Sequence, residues 1–304
     1  MHIDCAIIGG GPAGLSAALV LGRSRRHVLL FDDNRARNAV TRESHGFITR
    51  DGVKPSEFRA FAHQDIARYP NVTVKRERVT EVRHSGRGSF LLRTGDGIVH
   101  HARTILLAAG LKESLPSVPQ IQDYYGKSLF SCPYCDGWEL RDKPLVVIGE
   151  SGTHAVSLAK FVYNWSKDLV VCTNGRQVLT QEQIANFVRK GIRVQERRIR
   201  ALKGSGGQLQ SIQFEDGSEM KRSGGFLSPK WRHAVDFGEK LGCAMNEHGG
   251  LVKDDYGRTT VRGVYAAGDG ALITPAQLII AAGDGSRAAL GVNGDIINED
   301  FDLL

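Results

Sequence analysis

The chain opens on a short apolar run, Ile3-Asp4-Cys5-Ala6-Ile7-Ile8, that leads directly into Gly9-Gly10-Gly11-Pro12-Ala13-Gly14. The run reads as a buried strand. From about Ala13 to Leu21, Leu, Ala and Val recur at helical spacing. After the basic turn Arg23-Ser24-Arg25-Arg26, a second run, His27 to Phe31, ends in Asp32-Asp33. Strand, glycine turn, helix, strand and terminal acid in this register make a βαβ unit with a phosphate loop at the start of its helix. Gly9 permits the tight turn, Gly11 lets the backbone approach a pyrophosphate, and Gly14 lets helix and strand pack closely. Pro12 and Ala13 begin the helix, whose N-terminus faces the phosphates. Asp32 lies near the ~20-residue spacing of a carboxylate that binds ribose hydroxyls. A plain glycine turn would not need that acid.

A second stretch carries chemistry, Cys132-Pro133-Tyr134-Cys135-Asp136-Gly137. Two thiols at this spacing can close a disulfide across one helical turn, which the proline stiffens. At a helix start, the positive dipole end favours thiolate. Asp136 follows directly and can shuttle a proton to or from a leaving thiol. A structural zinc site would need two more ligands. Cys5, Cys172 and Cys243 are single and far apart, and none forms a second CxxC or a nearby Cys/His pair. A redox pair is therefore favoured over zinc or two idle cysteines, with no metal expected.

The 304 residues, 41% hydrophobic and 24% charged, suit a globular protein of about two domains. The net charge of +7 is spread along the chain. Its densest run, Lys75 to Arg83, reads as an alternating strand edge. Without interleaved aromatics it is a solvated face and not a nucleic-acid groove, leaving a general attraction for acidic partners or phosphates. No stretch approaches the ~18 apolar residues of a membrane helix. The N-terminus shows no basic leader, and an odd count of five cysteines fits a reducing cytoplasm.

Residues 40–55 read as a polar loop containing His45. Ser56 then looks like the N-cap of a helix running to about Tyr69. Alternating strands fill 72–108, with a hairpin at Thr94-Gly95-Asp96-Gly97. Thr104 to Leu107 is a buried strand ending in Ala108-Ala109-Gly110. After the cysteines comes a second βαβ pattern: strand Pro144 to Ile148, turn Gly149-Glu150-Ser151-Gly152-Thr153-His154-Ala155, a helix to about Trp165, and strand Leu169 to Cys172. Its turn is irregular. Ser151 and His154 stand where glycine and a small residue are expected, and Glu150 puts a negative charge beside a pyrophosphate's place. Thr173-Asn174-Gly175 follows, with no acid for a 2′-hydroxyl and only Arg176 for a 2′-phosphate. The central domain continues to 245, with Gln208 to Phe214 and Ser218 to Lys221 flanking the turn Asp216-Gly217. A last strand, Gly263 to Ala267, ends in Gly268-Asp269-Gly270. A helix containing Gln277, Ala281-Ala282-Gly283 and Ala288-Ala289 closes the chain. Asp269 at a strand end can bind a polyol hydroxyl, though alone it reads as an ordinary turn acid.

The whole chain resembles the low-molecular-weight thioredoxin reductases, of the two-domain flavoprotein disulfide oxidoreductase group. Four matches carry the resemblance, in the family's order: Gly9 to Gly14 with Asp32; Thr104 to Gly110; Cys132 to Gly137; and Tyr265-Ala266-Ala267-Gly268-Asp269 followed by Gln277 and Ala281-Ala282-Gly283. It implies an α/β fold of two Rossmann-like three-layer ββα domains, the second inserted into the first. The FAD-binding domain would span 1–113 and 246–304, and an inserted NAD(P)H-like domain carrying the Cys pair would span 114–245. The resemblance further implies FAD held by Gly9, Gly11, Pro12, Ala13, Gly14, Asp32, Ala109, Gly110, Gly268 and Asp269, the last on the ribityl chain. Gln277 and Leu278 would lie near the flavin pyrimidine edge, where hydrogen bonds and a helix dipole stabilise reduced anionic flavin. Cys135 would face the flavin, Cys132 would attack the external disulfide, Asp136 would handle the proton, and the protein would be a homodimer.

The departures from the family are informative. Its second turn is Gly/Ala-rich and an arginine-rich motif follows the next strand, whereas Ser151, His154 and Thr173-Asn174-Gly175 stand there here. This points to a branch with a degenerate NADPH site. Thr173-Asn174-Gly175 and the His45 loop look more like the branch that makes or breaks disulfides in small dithiol metabolites with oxygen as acceptor. That branch often carries His after the second Cys, whereas Asp136 is reductase-like. Three readings of the electron circuit follow. The first is a thioredoxin reductase-like enzyme acting on a thioredoxin-like protein disulfide or a small dithiol or disulfide. Its donor is NADPH, ferredoxin or a second flavin. Phe301 in the tail Asp300-Phe301-Asp302-Leu303-Leu304 could lie over a flavin in a vacated nicotinamide site, though alone it reads as a terminal helix end packing on a neighbour. The second is an oxygen-dependent dithiol oxidase. The third is a redox-sensing flavoprotein that signals to a binding partner, which has no use for the Cys pair.

Overall fold

Apolar runs without internal polar breaks form strands buried on both faces, as parallel sheets require. In the computed structural model, which describes residues 2–86, 88–273 and 276–302, Ile3–Ile8 lies parallel between Val28–Phe31 and Val99–Leu107. The strand order of this sheet is Val72–Lys75, Val28–Phe31, Ile3–Ile8, Val99–Leu107, Ser89–Thr94 and Val79–Gly86, with Val264–Ala266 also pairing Val99–Leu107. The register decides where chemistry can occur. Ile8 lies opposite Phe31 and Leu107, and Ala266 opposite Leu107. Gly9, Asp32, Ala108 and Ala267 therefore all leave the sheet at one carboxyl edge, where open α/β sheets bind ligands.

Successive strand residues point to opposite faces. Cys5, Ile7, Val28 and Leu30 pack under helices Pro12–Arg23 and Leu278–Asp302, through Leu15, Leu21, Val292 and Ile296. Ala17, Ala18, Ala288 and Ala289 belong to the same cluster, and their small side chains let the two helices approach. Burying a side chain such as Leu21 contributes about 2 kcal/mol. The alternate residues Ala6, Ile8, Leu29 and Phe31 face Phe90, Leu92, Phe237 and Leu241.

The second body repeats the scheme. Its parallel sheet runs Arg193–Gln195, Leu169–Cys172, Leu145–Ile148, Gly224–Leu227, Leu129–Phe130. Leu145, Val147, Leu169 and Val171 face the helix Gly152–Val162 through Ala155, Ala159 and Val162. Val146, Ile148, Val170 and Cys172 face an antiparallel sheet of Ile199–Ser205, Gln208–Phe214 and Glu219–Lys221, through Ile199, Leu202, Ile212 and Phe214. Two three-layer α/β bodies with Rossmann-like parallel strands, the first sheet extended by the antiparallel strands Ser89–Thr94 and Val79–Gly86, are what the motifs led one to expect. Helix Gln181–Arg189 starts with a reciprocal cap, Thr180 Oγ1 accepting from Gln183 N–H while Gln183 Oε1 accepts from Thr180 N–H. Thr180→Ala is expected to lower stability by about 1 kcal/mol. An unchanged urea midpoint at unchanged slope would show the cap to be without effect.

The chain divides into two compact units, one of Met1–Ala39, Phe47–Lys112 and Arg232–Leu304, the other of Val40–Gly46 with Glu113–Trp231. The insertion returns at 232 and not 246, because Val235, Phe237, Leu241 and Cys243 pack in the first unit's core. Three local expectations are corrected. Helix Pro55–Ile66 has Lys54 and not Ser56 at its N-cap, since Pro55, with its fixed φ and missing N–H, takes the first helical position. It stops at Ile66, short of Tyr69. The Lys75–Arg83 run is not one strand: Lys75 ends one, and a second begins at Val79. Of the C-terminal tail, Leu303 and Leu304 lie outside the described residues, while Phe301 is exposed on the last turn of its helix. No helix among the described residues is long and apolar enough to cross a membrane.

Candidate active site

The first unit gathers the glycine segments around one turn. Gly9 sits at φ +118°, and a Cβ there would lie 2.3 Å from the Ala108 carbonyl oxygen. A Cβ on Gly14 would lie 1.9 Å from the Gly9 carbonyl oxygen, so helix and strand touch backbone to backbone. At Gly11, by contrast, a Cβ would meet nothing within 4 Å. Gly11 is the N-cap of helix Pro12–Arg23, which begins with Pro12, Ala13 and Gly14, and its backbone faces open space. Gly268 approaches within a methyl group of Ala13, and its N–H donates to Asp284 Oδ2 at 2.8 Å, while Lys253 Nζ donates to Asp284 Oδ1 at 2.8 Å. Gly110 packs beside Gly270. Gly9–Gly14, Ala109–Gly110 and Gly268–Asp269, far apart in sequence, are thus brought together.

Asp32 is buried at the end of its strand. Arg59 Nη2 donates to both its oxygens at 2.7 and 2.6 Å, Arg76 Nη1 donates to Oδ2 at 2.6 Å, and His63 Nε2 lies 3.1 Å from Oδ2. Burial alone would raise this carboxyl; the hydrogen bonds from His63 and the Asn34 N–H and the charge of Arg59 override it and hold it at about 2. Asp32 is therefore a permanent acceptor at physiological pH. Sequence reasoning missed these partners. Arg59 and His63 are four residues apart on one helix, a spacing that puts them on one face, but nothing local pointed that face at Asp32. It also missed Arg37, whose Nη2 donates to Asp269 Oδ2 at 2.7 Å. Gln277 accepts from the Ala281 N–H ahead of the helix that begins at Leu278.

In the second unit, Cys132 and Cys135 are joined Sγ to Sγ. Cys132 is the N-cap of a single helical turn, Pro133–Asp136, and its carbonyl accepts from the N–H groups of Cys135 and Asp136. One turn is too short for much dipole, so the pair's setting comes from its neighbours. Tyr134 is exposed and packs edge-on against Trp165 at 5.5 Å. A Cβ on Gly137 would lie 2.7 Å from the Trp165 ring. Asp136 is half-buried. Loss of water pushes its carboxyl up to about 7, Glu139 adds to the shift, and His45 opposes it. His45 Nε2 lies 3.8 Å from Glu139 Oε1 and 3.7 Å from Glu43 Oε2. Cys5, Cys172 and Cys243 are buried free thiols. Burial pushes those of Cys5 and Cys172 up to about 12 and that of Cys243 up as well.

Two α/β bodies, a dinucleotide-type turn and a CxxC disulfide agree with the sequence comparison. The pattern of the pyridine nucleotide-disulphide oxidoreductases matches residues 3–295. The chain belongs to that family. Within it the protein is thioredoxin reductase-like. It is 33% identical to a "Probable thioredoxin reductase" of Arthroderma benhamiae over 298 residues, 88% of this chain and 73% of that one. It is 30% identical to thioredoxin reductase aclD of Aspergillus oryzae over 303 residues, 95% of each chain. The crystal structure of TrxB from Bacillus anthracis superimposes with a TM-score of 0.95 at 46% identity, covering 98% of this chain and 100% of that one.

In this thioredoxin reductase-like chain the second turn is satisfied by its own side chains. Glu150 Oε1 accepts from Asn174 Nδ2 at 2.8 Å and from the Ser117 N–H at 3.3 Å, and Oε2 lies 3.6 Å from Arg176 Nη2. Asn174 sits at φ +54°, a left-handed position asparagine tolerates, and its Oδ1 accepts from the Ile199 N–H at 3.1 Å. The Val178 carbonyl oxygen lies 2.0 Å from where a Cβ on Gly152 would be, at the first turn of the helix. Ser151 and His154 are exposed beside it.

Proposed function

We propose that this flavoprotein moves electrons between FAD and the Cys132–Cys135 pair and on to a partner disulfide, with an electron donor other than NADPH. FAD, when bound, supplies a two-electron carrier. The open backbone at Gly11 and the permanently ionised Asp32 fit an adenine dinucleotide. In this reading Gly9, Gly11, Pro12, Ala13 and Gly14 hold the pyrophosphate, Asp32 the ribose, Ala109, Gly110, Gly268 and Asp269 the ribityl side, and Gln277 and Leu278 the pyrimidine edge. Cys135 takes the flavin side of the disulfide, Cys132 attacks the partner disulfide as thiolate, and Asp136, poised at about 7, carries the proton. The partner is a thioredoxin-like protein or a small disulfide, and the protein works as a homodimer in the cytoplasm.

The observation behind the donor is Glu150. A carboxylate fixed at the second turn by Asn174 and Ser117 repels a pyrophosphate, and Arg176, the cation suited to a 2′-phosphate, already faces Glu150. Reduced ferredoxin or a second flavin then takes NADPH's role. The nearness of His45 to Asp136 favours a second reading, a dithiol oxidase passing electrons to oxygen, because an imidazole there can accept the protons that two thiols give up. The test is anaerobic addition of NADPH, then NADH, to the yellow protein. The expected result is no loss of flavin absorbance at near-stoichiometric NADPH, with dithionite still bleaching it. Rapid bleaching by NADPH would overturn the donor assignment. If NADPH fails, bleaching by a small dithiol with recovery in oxygen selects the oxidase reading.

A further inference from the structure

Helix Leu278–Asp302 has one face in the core, through Ala281, Ala288, Ala289, Val292 and Ile296. Its opposite face carries Ile279, Leu290, Ile297 and Phe301, exposed by 37%, 51%, 49% and 76%. At 3.6 residues per turn these four fall in one stripe with Gly283 and Gly294, about 60° wide. The glycines of this helix are of two kinds. A Cβ on Gly285 would lie 2.0 Å from the Ala13 carbonyl oxygen, and one on Gly291 would lie 2.2 Å from that of Tyr256, so the chain's own packing requires both. A Cβ on Gly283 or Gly294 would meet nothing within 4 Å. Glycine inside a helix costs stability relative to alanine, and no contact among the described residues calls for these two. We propose that the stripe is the seam of the homodimer, two copies packing these helices antiparallel about a twofold axis at the level of Val292. The seam rests on the homodimer reading above.

The order of residues along the stripe selects a second copy as the occupant. In an isologous contact, residue i of one copy meets residue j of the other, and j meets i. Antiparallel helices with a twofold axis at 292 set opposite each other residues equally far to either side of it, to within one residue. Leu290 then meets Gly294, Phe301 meets Gly283 and Ile297 meets Ser286, a large side chain over a small one each time. The small residues let the two backbones approach to the ~8 Å lower end of helix pairs. At the edge of the stripe, the exposed Arg287 meets the exposed Asn298, a guanidinium facing an amide oxygen. The seam sets no two like charges opposite each other, because the acids on the flanks are held by their own chain. Arg258 donates to both oxygens of Asp295 at 2.8 Å, Arg103 and Arg262 donate to Glu299 at 2.7 and 2.8 Å, and Arg103 and Arg26 pair with Asp300. Those contacts fix the last turns of the helix and leave Ile297 and Phe301 outward, in water until a second copy covers them.

The experiment uses the full chain loaded with FAD. Light scattering after gel filtration should give twice the chain's 33.2 kDa. Leu290→Arg and Gly294→Arg place a charge at the centre of the seam. Each should weaken the dimer at least about a hundredfold, read as the protein concentration at half-dissociation. Leu290 is exposed within one copy and Gly294 has open space beside it, so flavin content and the urea midpoint of the diluted protein should not change. A size exchange tests the register. Gly283→Phe should break the dimer and adding Phe301→Gly should restore it, which a general disturbance of the helix would not do. Cross-linking tests the direction. In a Cys132→Ser/Cys135→Ser background, Gly283→Cys protein mixed with Phe301→Cys protein should form a disulfide on mild oxidation, identified by mass. Gly283→Cys mixed with Leu290→Cys should not, because 290 lies about 16 Å along the helix from 301. A parent of 33.2 kDa at every concentration overturns the homodimer reading and the seam with it. A parent dimer that both arginine variants leave intact, a size exchange that restores nothing, or a cross-link in the wrong pair overturns the seam alone.

Discussion

Cys135→Ser is expected to abolish turnover of a disulfide substrate, by at least about a thousandfold, while leaving the first chemical step intact. A disulfide can be reduced at a thiol pair because the second thiol resolves the mixed disulfide made by the first. With serine at 135 the Cys132 thiolate still attacks, and nothing expels the second half of the substrate. The variant should accumulate one substrate half as a covalent adduct on Cys132, visible by intact mass and released by dithiothreitol. Cys132→Ser should be equally inactive with no such adduct, since the outward-attacking sulfur is gone. The other thiols cannot substitute, being buried and held protonated. Full turnover in Cys135→Ser, or an adduct on Cys135 in Cys132→Ser, would refute the roles given to the two sulfurs.

The second large effect concerns the phosphate turn, where three glycines have three separable reasons to be glycine. Gly9→Ala forces a side chain into a left-handed φ and onto the Ala108 carbonyl. Gly14→Ala drives a methyl group into the Gly9 carbonyl. Neither obstacle is a flexible side-chain end, so strand or helix must move, and each change should cost upwards of about 4 kcal/mol. Gly11→Ala meets no protein atom, and its φ of −79° is open to any residue. That variant should unfold within about 1 kcal/mol of the parent and yet bind FAD at least tenfold more weakly, because its methyl group occupies the ligand's space. Urea unfolding of the flavin-stripped proteins and flavin content after gel filtration separate the cases. If Gly11→Ala retained full flavin affinity, the pyrophosphate would not lie over that backbone.

The βαβ unit was legible because three signals agree at one place: a strand period, a helical period and a turn whose glycines are dictated by backbone contacts. The inner parallel strands Val28–Phe31, Leu145–Ile148 and Leu169–Cys172 were legible because they are apolar on both faces, whereas the edge strand Arg193–Gln195 is half polar and left no such signal. What local pattern could not carry is what the chain does over distance. Ser56 has the chemistry of a cap, but Pro55 before it takes the first helical position. The end of the insertion at 232 depends on Phe237 and Leu241 packing under a distant sheet, and no composition shift marks it. The three side chains on Asp32, Arg59, His63 and Arg76, come from a helix and a strand end, and each alone reads as a solvated polar group. Glu150 was legible as an anomaly, but the explanation for Asn174 appeared only when its side chain was seen to join Glu150 to Ile199. His45 read as a loop histidine until the loop came to lie beside Asp136.

The burial of Cys5, Cys172 and Cys243 makes the protein a self-indexing electron counter. In the native fold those sulfurs are withheld from any water-soluble alkylating reagent, whatever the redox state. With the pair closed, the folded chain offers such a reagent no thiol; with the pair open, it offers two. A mass shift of two labels or none therefore records two electrons or none on the same molecule. The occupancy of the disulfide can then be read in a mixture, molecule by molecule, without relying on the colour of the flavin.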